Sequence, residues 1–204
     1  TVDDIKIAVN VALKTKGLKE KTLDEIKHAV GNGAMKLMER VCPHTYSKDM
    51  IKEVFEIYQN YYNTHSNVYT APYQGILSLL KTLKLKGYPL AVVSNKFEHL
   101  VKVLNESYFE NLFDVVIGEV EGIPIKPAPD MLYKALNKLN VTEDEALFIG
   151  DSDVDMDTAF HAKMVSVGVT WGFRDEEVLM KHHAHYIIHH PEELLVIIDK
   201  ENEQ

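Results

Sequence analysis

The chain has 204 residues, 46% hydrophobic and 26% charged, with a formal charge of −9. That is the make-up of a soluble globular protein, long enough to bury a core as one domain or as one domain carrying a smaller one. The negative balance argues against a nucleic-acid binder working by general phosphate attraction, and no apolar run approaches the roughly 20 residues of a membrane span. No secretory signal is expected, and the single cysteine, Cys42, excludes a disulfide within these residues and suits a reducing cytoplasm.

The first residues already read as a helix. Thr1 has the chemistry of an N-cap, Asp3 and Asp4 complement the positive end of the dipole, and Val2, Ile5, Val9, Ala12 and Leu13 form an apolar stripe. A chain that opens on its first helix cap without methionine is expected to be processed or truncated. Thr22–Glu25 ("TLDE") is a capping-box pattern ahead of a second helix, Gly31 and Gly33 break that helix and start a third, and Ser47 caps a fourth. Tyr58, Tyr61 and Tyr62 sit at helical spacing in the fourth, a packing pattern. Residues 1–70 therefore read as an all-helical domain.

From residue 71 the grammar changes to alternating helix and strand. "GILSLLKTLKLKG" is an amphipathic helix stopped by Gly87. "PLAVVSN", "FDVVIGE", "ALFIGD" and "MVSVGV" are short, continuous and rich in Val, Ile and Leu, as suits parallel strands covered on both faces. Helices are expected between them around 97–106, 129–139 and 154–162. Residues 71–204 thus read as a doubly wound α/β domain with a parallel sheet.

Ligands bind such sheets beyond the carboxyl ends of the strands. Those ends supply Ser94 and Asn95, then Gly118 and Glu119, then "GDSDVD" from Gly150 to Asp155, while "GIPIKPAPD" carries Lys126 before a proline. A hydroxyl, an amide, a lysine and carboxylates on one edge suit a phosphate held beside a divalent cation, because magnesium takes one or two carboxylates plus phosphate oxygens and water. Asp151 and Asp155 are the candidate metal residues. Asp153 and Asp157 read as solvated residues of the following helix. A calcium loop is excluded, since Met156 stands at its glycine position and Ala162 at its closing glutamate.

These residues resemble the haloacid dehalogenase-like hydrolases, and within them the phosphoglycolate phosphatase-like branch, over essentially the whole chain. "AVVSNK" is similar to the family's second motif, "IKPAPDM" to its third, and Gly150, Asp151 and Asp155 to its fourth, GDxxxD; "VTWGFR" (residues 169–174) also looks like that branch. The resemblance implies a Rossmann-like core with a helical cap in residues 1–70, and a cap loop, Gly31, Asn32 and Gly33, that helps choose the substrate. It implies that Asp151 binds Mg2+ directly and that Asp155 supports the metal's waters and the lysine. Ser94, with Asn95 beside it, would bind the phosphoryl group, and Lys126 would steady nucleophile and phosphate. Met35 stands where such phosphatases carry a basic residue, which leaves the substrate open.

The family's first motif, DxDGT, which carries the nucleophilic aspartate on the central strand, has no match in these residues. Asp3 and Asp4 lack the preceding apolar strand and the glycine. Without that strand, the strands ending at Ser94 and Gly150 would lose a shared neighbour. About 10–20 further residues, one strand and one turn, are expected ahead of Thr1, and the fragment without them is expected to be inactive.

The expected activity is magnesium-dependent hydrolysis of a small phosphorylated metabolite, phosphoglycolate first, through an aspartyl-phosphate, by a cytoplasmic monomer or homodimer. Pyrophosphatase, sugar-phosphate mutase and a non-catalytic binding module are the alternatives. The imidazoles of "HHAHYIIHH" (His182, His183, His185, His189, His190) invite a transition-metal reading. On an edge strand with alternating faces they would not all converge.

Overall fold

The computed structural model describes residues 1–203 and divides into two compact units, Thr1–Ala71 and Pro72 onward. The first is helical throughout: α1 (Val2–Thr15), α2 (Leu23–Ala29), α3 (Ala34–Val41) and α4 (Lys48–His65). Val9, Leu13, Ile26, Met38 and Val54 form its interior, and Tyr58 and Tyr62 stack within it at 5.2 Å between ring centroids. The Thr22–Glu25 capping box is complete, and the Ser47 hydroxyl accepts the Met50 N–H. The N-terminus departs from expectation in two ways. Thr1 occupies the N-cap position without a side-chain capping bond. Asp4 is buried, and its carboxylate accepts the Tyr69 N–H (2.9 Å) and the Thr70 hydroxyl (2.7 Å), tying the start of this unit to its end.

The second unit alternates as expected. Its elements are α5 (Ile76–Leu85), β1 (Ala91–Phe97), α6 (Glu98–Tyr108), β2 (Val115–Glu119), α7 (Asp130–Leu139), β3 (Leu147–Gly150), α8 (Asp153–Ala162), β4 (Val165–Val169), α9 (Glu176–Lys181), β5 (Tyr186–Ile188) and α10 (Glu193–Glu201). Periodicity missed α9 and α10, while β5 is the edge strand taken for the histidine-rich stretch. β5 is only three residues long and lies inside the histidine-rich stretch, where apolar content is thin.

All strand pairs are parallel, but they form two sheets, β1–β2 and β3–β4–β5. Among the described residues, β1 and β3 each pair on one side only. Between them runs a slot of about 280 Å3, lined from one side by Leu90, Ala91 and Val93 and from the other by Leu147, Phe148 and Ile149. β4, flanked on both sides, is almost fully buried, whereas β1 is only partly buried and Ile149 of β3 is 40% exposed. The faces of β1 and β3 still pack on the core, Ala91 and Val93 against Met131 and Ala135, and Phe148 against Leu132 and Leu136; it is their unpaired edges that border the slot. Among the described residues no helix is long and apolar enough to cross a membrane.

Candidate active site

The site is assembled on the strand ends that border the slot. β1 and β2 stay in register from Ala91 to Val93, and the ladder then shifts before Phe97 pairs with Glu119. This irregularity lifts Ser94, Asn95 and Lys96 out of regular pairing, and the Ser94 hydroxyl oxygen accepts the Lys96 N–H at 3.1 Å. The Ser94 O–H proton remains a donor for a ligand.

Asn95, next to Ser94, is bonded to the backbone of Lys126. Its Nδ2 donates to the Lys126 carbonyl and its Oδ1 accepts the Lys126 N–H, both at 2.9 Å. The amide thus clamps the backbone of Lys126, which precedes a cis proline peptide.

Lys126 is 9% exposed, unusual for a lysine. Its ammonium donates to the Val93 carbonyl (3.0 Å) and to Asp155 Oδ1 (2.7 Å). Two of its three protons are so used, which leaves one for an anion.

Asp155 lies in the first turn of α8, where Ser152 is the N-cap and accepts the Asp155 N–H. Oδ1 takes Lys126, and Oδ2 takes the Ser152 hydroxyl (2.6 Å) and the Asp151 N–H (3.2 Å). Burial alone would raise its pKa, but the charge and hydrogen bond of Lys126 hold it below the ordinary carboxylate value. Both oxygens are committed within the protein. Asp155 is therefore a brace for Lys126 and Asp151, the lysine-supporting place expected of it.

Asp151 is held differently. Oδ2 accepts the Phe173 N–H at 3.2 Å, and the Asp151 carbonyl accepts the Arg174 N–H at 3.1 Å. Burial first, and the charge of Asp155 second, push its pKa up to about 6 against the partial relief from Lys126. A partly buried carboxylate with too little positive charge around it suits a cation. Among the described residues no group of three or more His, Cys, Asp or Glu could hold a metal. The donor set is thus one hard oxygen ligand beside a phosphate-sized polar edge, which fits magnesium, a cation that leaves most of its positions to water and substrate oxygens.

Two glycines permit this density. A Cβ on Gly150 would overlap the Asp155 side chain, and one on Gly172 would overlap Asp151. Gly172 lies in the loop that closes over Asp151, and the "VTWGFR" segment is this loop.

The aspartates set aside as solvated are both paired. Asp153 Oδ1 receives Arg174 Nε at 2.7 Å, and Asp157 Oδ1 lies 2.8 Å from His182 Nδ1. Their partners sit 21 and 25 residues downstream, beyond the reach of local pattern reading. The other imidazoles go to separate places: His183 stacks on Phe160, His185 bonds Ser166, and His189 bonds Thr170.

Gly31, Asn32 and Gly33 lie in the first unit, outside this chain of bonds. Gly31 and Gly33 have φ of 139° and 83°, and Arg40 donates to both Asn32 Oδ1 (2.5 Å) and the Ala29 carbonyl (2.8 Å), fixing the loop to α3.

Comparison with known proteins agrees with the family resemblance. The haloacid dehalogenase-like hydrolase family model matches residues 1–169. A phosphoglycolate phosphatase of Aquifex aeolicus (strain VF5) is 34% identical over 172 residues, covering 83% of this chain and 78% of the relative. The pyrophosphatase PpaX of Listeria welshimeri is 27% identical over 88% of this chain and 81% of its own. A crystal structure from Lactobacillus delbrueckii subsp. bulgaricus, carrying a provisional phosphoglycolate phosphatase name, superposes with a TM-score of 0.89 at 35% identity, over 95% of this chain and 90% of that one. The fold and site define a hydrolase with a Rossmann-like core. The chain belongs to the haloacid dehalogenase-like hydrolase family, on a branch that holds phosphatases.

Proposed function

We propose that the protein is a magnesium-dependent phosphatase of small organic phosphate monoesters, with phosphoglycolate the first candidate substrate. The observation that carries this reading is the unbroken run of hydrogen bonds from Asn95 through Lys126 and Asp155 to Asp151, which joins three strand-end loops into one cationic and one anionic face. The named activity of the Aquifex relative points to the substrate, and that of the Listeria relative makes pyrophosphate the second.

In this reading the Ser94 hydroxyl and the remaining Lys126 N–H bind phosphoryl oxygens, and the Asn95 clamp fixes where the ammonium stands. Asp155 keeps Lys126 charged and aimed. Asp151 holds the cation, which when bound would neutralise charge on the phosphoryl group. Phosphoryl transfer gains most from such positioning and charge stabilisation. The acceptor of the phosphoryl group, an aspartate in the proposed two-step route, is not among the residues gathered here, so these residues account for the phosphate- and cation-holding part of the site. The Gly31–Gly33 loop is proposed as the element that chooses among esters.

Phosphate release by the full-length protein from phosphoglycolate, pyrophosphate and a sugar phosphate, with and without magnesium, tests the reading. Magnesium-dependent release, fastest from phosphoglycolate, is the expected outcome. Preference for pyrophosphate would move the substrate, and no release from any would remove the activity.

A further inference from the structure

The loop after β4 does more than connect it to α9. Residues 170–174 fold back over the β3 end, and three contacts join them to the "GDSD" turn: Phe173 N–H to Asp151 Oδ2 (3.2 Å), Arg174 N–H to the Asp151 carbonyl (3.1 Å), and Arg174 Nε to Asp153 Oδ1 (2.7 Å). The first runs from a main-chain N–H to the Asp151 carboxylate, and the second joins two main-chain groups. The third is specific to these side chains, and it is a charge-assisted bond between groups only 18% and 30% exposed, where it is worth more than a surface pair. Gly172 is what lets the loop approach, since a side chain there would occupy the space of the Asp151 carboxylate.

We propose that Asp153 and Arg174 are positioning residues for Asp151: their ion pair locks the 170–174 loop in place, so that the Phe173 N–H holds one carboxylate oxygen and turns the other toward a divalent cation. This rests on the reading of Asp151 as a cation ligand. Neither residue touches substrate or cation. They act through the loop, as groups behind a metal ligand act by fixing its orientation.

The pair has a control built into the same helix. Asp157, also on α8, pairs with His182 of the neighbouring segment, with both side chains 33% exposed. It ties α8 to the end of α9 without reaching Asp151. Loss of the Asp157 pair should therefore affect folding in a similar way and leave the cation untouched.

The test is Mn2+ affinity, followed by electron paramagnetic resonance on the full-length protein, with melting temperature recorded for every variant. Asp153→Asn and Arg174→Ala should each weaken Mn2+ binding by about tenfold, the low end for groups that orient a metal ligand. The double variant should lose no more than either single, because both remove the same lock. Asp157→Asn should leave affinity within about twofold. Unchanged affinity in folded Asp153→Asn or Arg174→Ala would overturn the proposal, as would losses that multiply in the double variant or an equal loss in Asp157→Asn. If Arg174→Ala does not fold, Asp153→Asn decides alone, since it removes the charge while keeping the shape. If the unaltered protein binds Mn2+ no better than Asp151→Asn, the reading of Asp151 as a ligand is what has failed.

Discussion

Lys126 Nζ lies 2.7 Å from Asp155 Oδ1, and the two side chains are only 11% and 9% exposed. Removing one partner of such a pair leaves a buried charge without its counterion, and the cost is on the order of 3–5 kcal/mol. Lys126→Met and Asp155→Asn should each lower stability in urea by about that much. The double variant should be less destabilised than the sum of the two. Additive losses would show that each residue acts through other partners.

Asp151 gives the protein a pH-dependent stability. Its folded pKa of about 6 lies above its ordinary value of 3.8, so the folded state binds the proton more tightly than the unfolded one. That contribution is fully present below about pH 4 and is lost as pH rises through 6. Above pH 6 the metal-free protein carries a strained carboxylate. Asp151→Asn should therefore stabilise it in chelator at pH 7.5, by about 1–2 kcal/mol, with the gain vanishing near pH 4. Thermal melts at the two pH values check this, and a destabilised Asn variant at pH 7.5 would contradict it.

Gly150 has room for no side chain, because Asp155 occupies the position of its Cβ. Gly150→Ala should cost about 1–3 kcal/mol through forced displacement. The strain falls on Asp155, so the loss should shrink when Asp155→Ala is made in the same chain. A double-mutant cycle by urea denaturation measures the coupling.

In the first unit, Asp4 accepts two hydrogen bonds across 65 residues of sequence. Asp4→Ala would remove the acceptor of the Tyr69 N–H and leave the Thr70 hydroxyl with the Ser66 carbonyl alone, at a cost of about 1 kcal/mol. Exchange protection of the Tyr69 amide should fall with it. An unchanged amide would mean that this link is not what closes the helical unit.

What could be read from the residues alone follows a physical divide. Helix starts were legible where cap and partner lie three residues apart, as in Thr22–Glu25 and Ser47–Met50, and the four longer strands were legible because continuous Val, Ile and Leu runs need no partner to be recognised. The site residues could be named because they fall at strand ends. Their division of labour could not. That Asn95 clamps Lys126, that Asp155 spends both oxygens internally, and that Asp153 and Asp157 find Arg174 and His182 are all consequences of contacts 3 to 31 residues away in sequence. Asp4 misled for the same reason, since a helix-start acid and a buried acceptor look alike until the far end of the unit is in place. Arg174 was within reach, because it closes "VTWGFR", a segment already singled out.

The central claim is that Asp151 supplies the cation contact that phosphate release requires. The direct measurement is phosphate release from phosphoglycolate by the full-length protein at saturating magnesium, for the unaltered chain and for Asp151→Asn. Release should stop in chelator and return with magnesium, and kcat/KM for Asp151→Asn should fall by at least about 100-fold, roughly 3 kcal/mol of transition-state stabilisation. Release that survives chelation, or an Asp151→Asn protein that turns over undiminished, would contradict the claim.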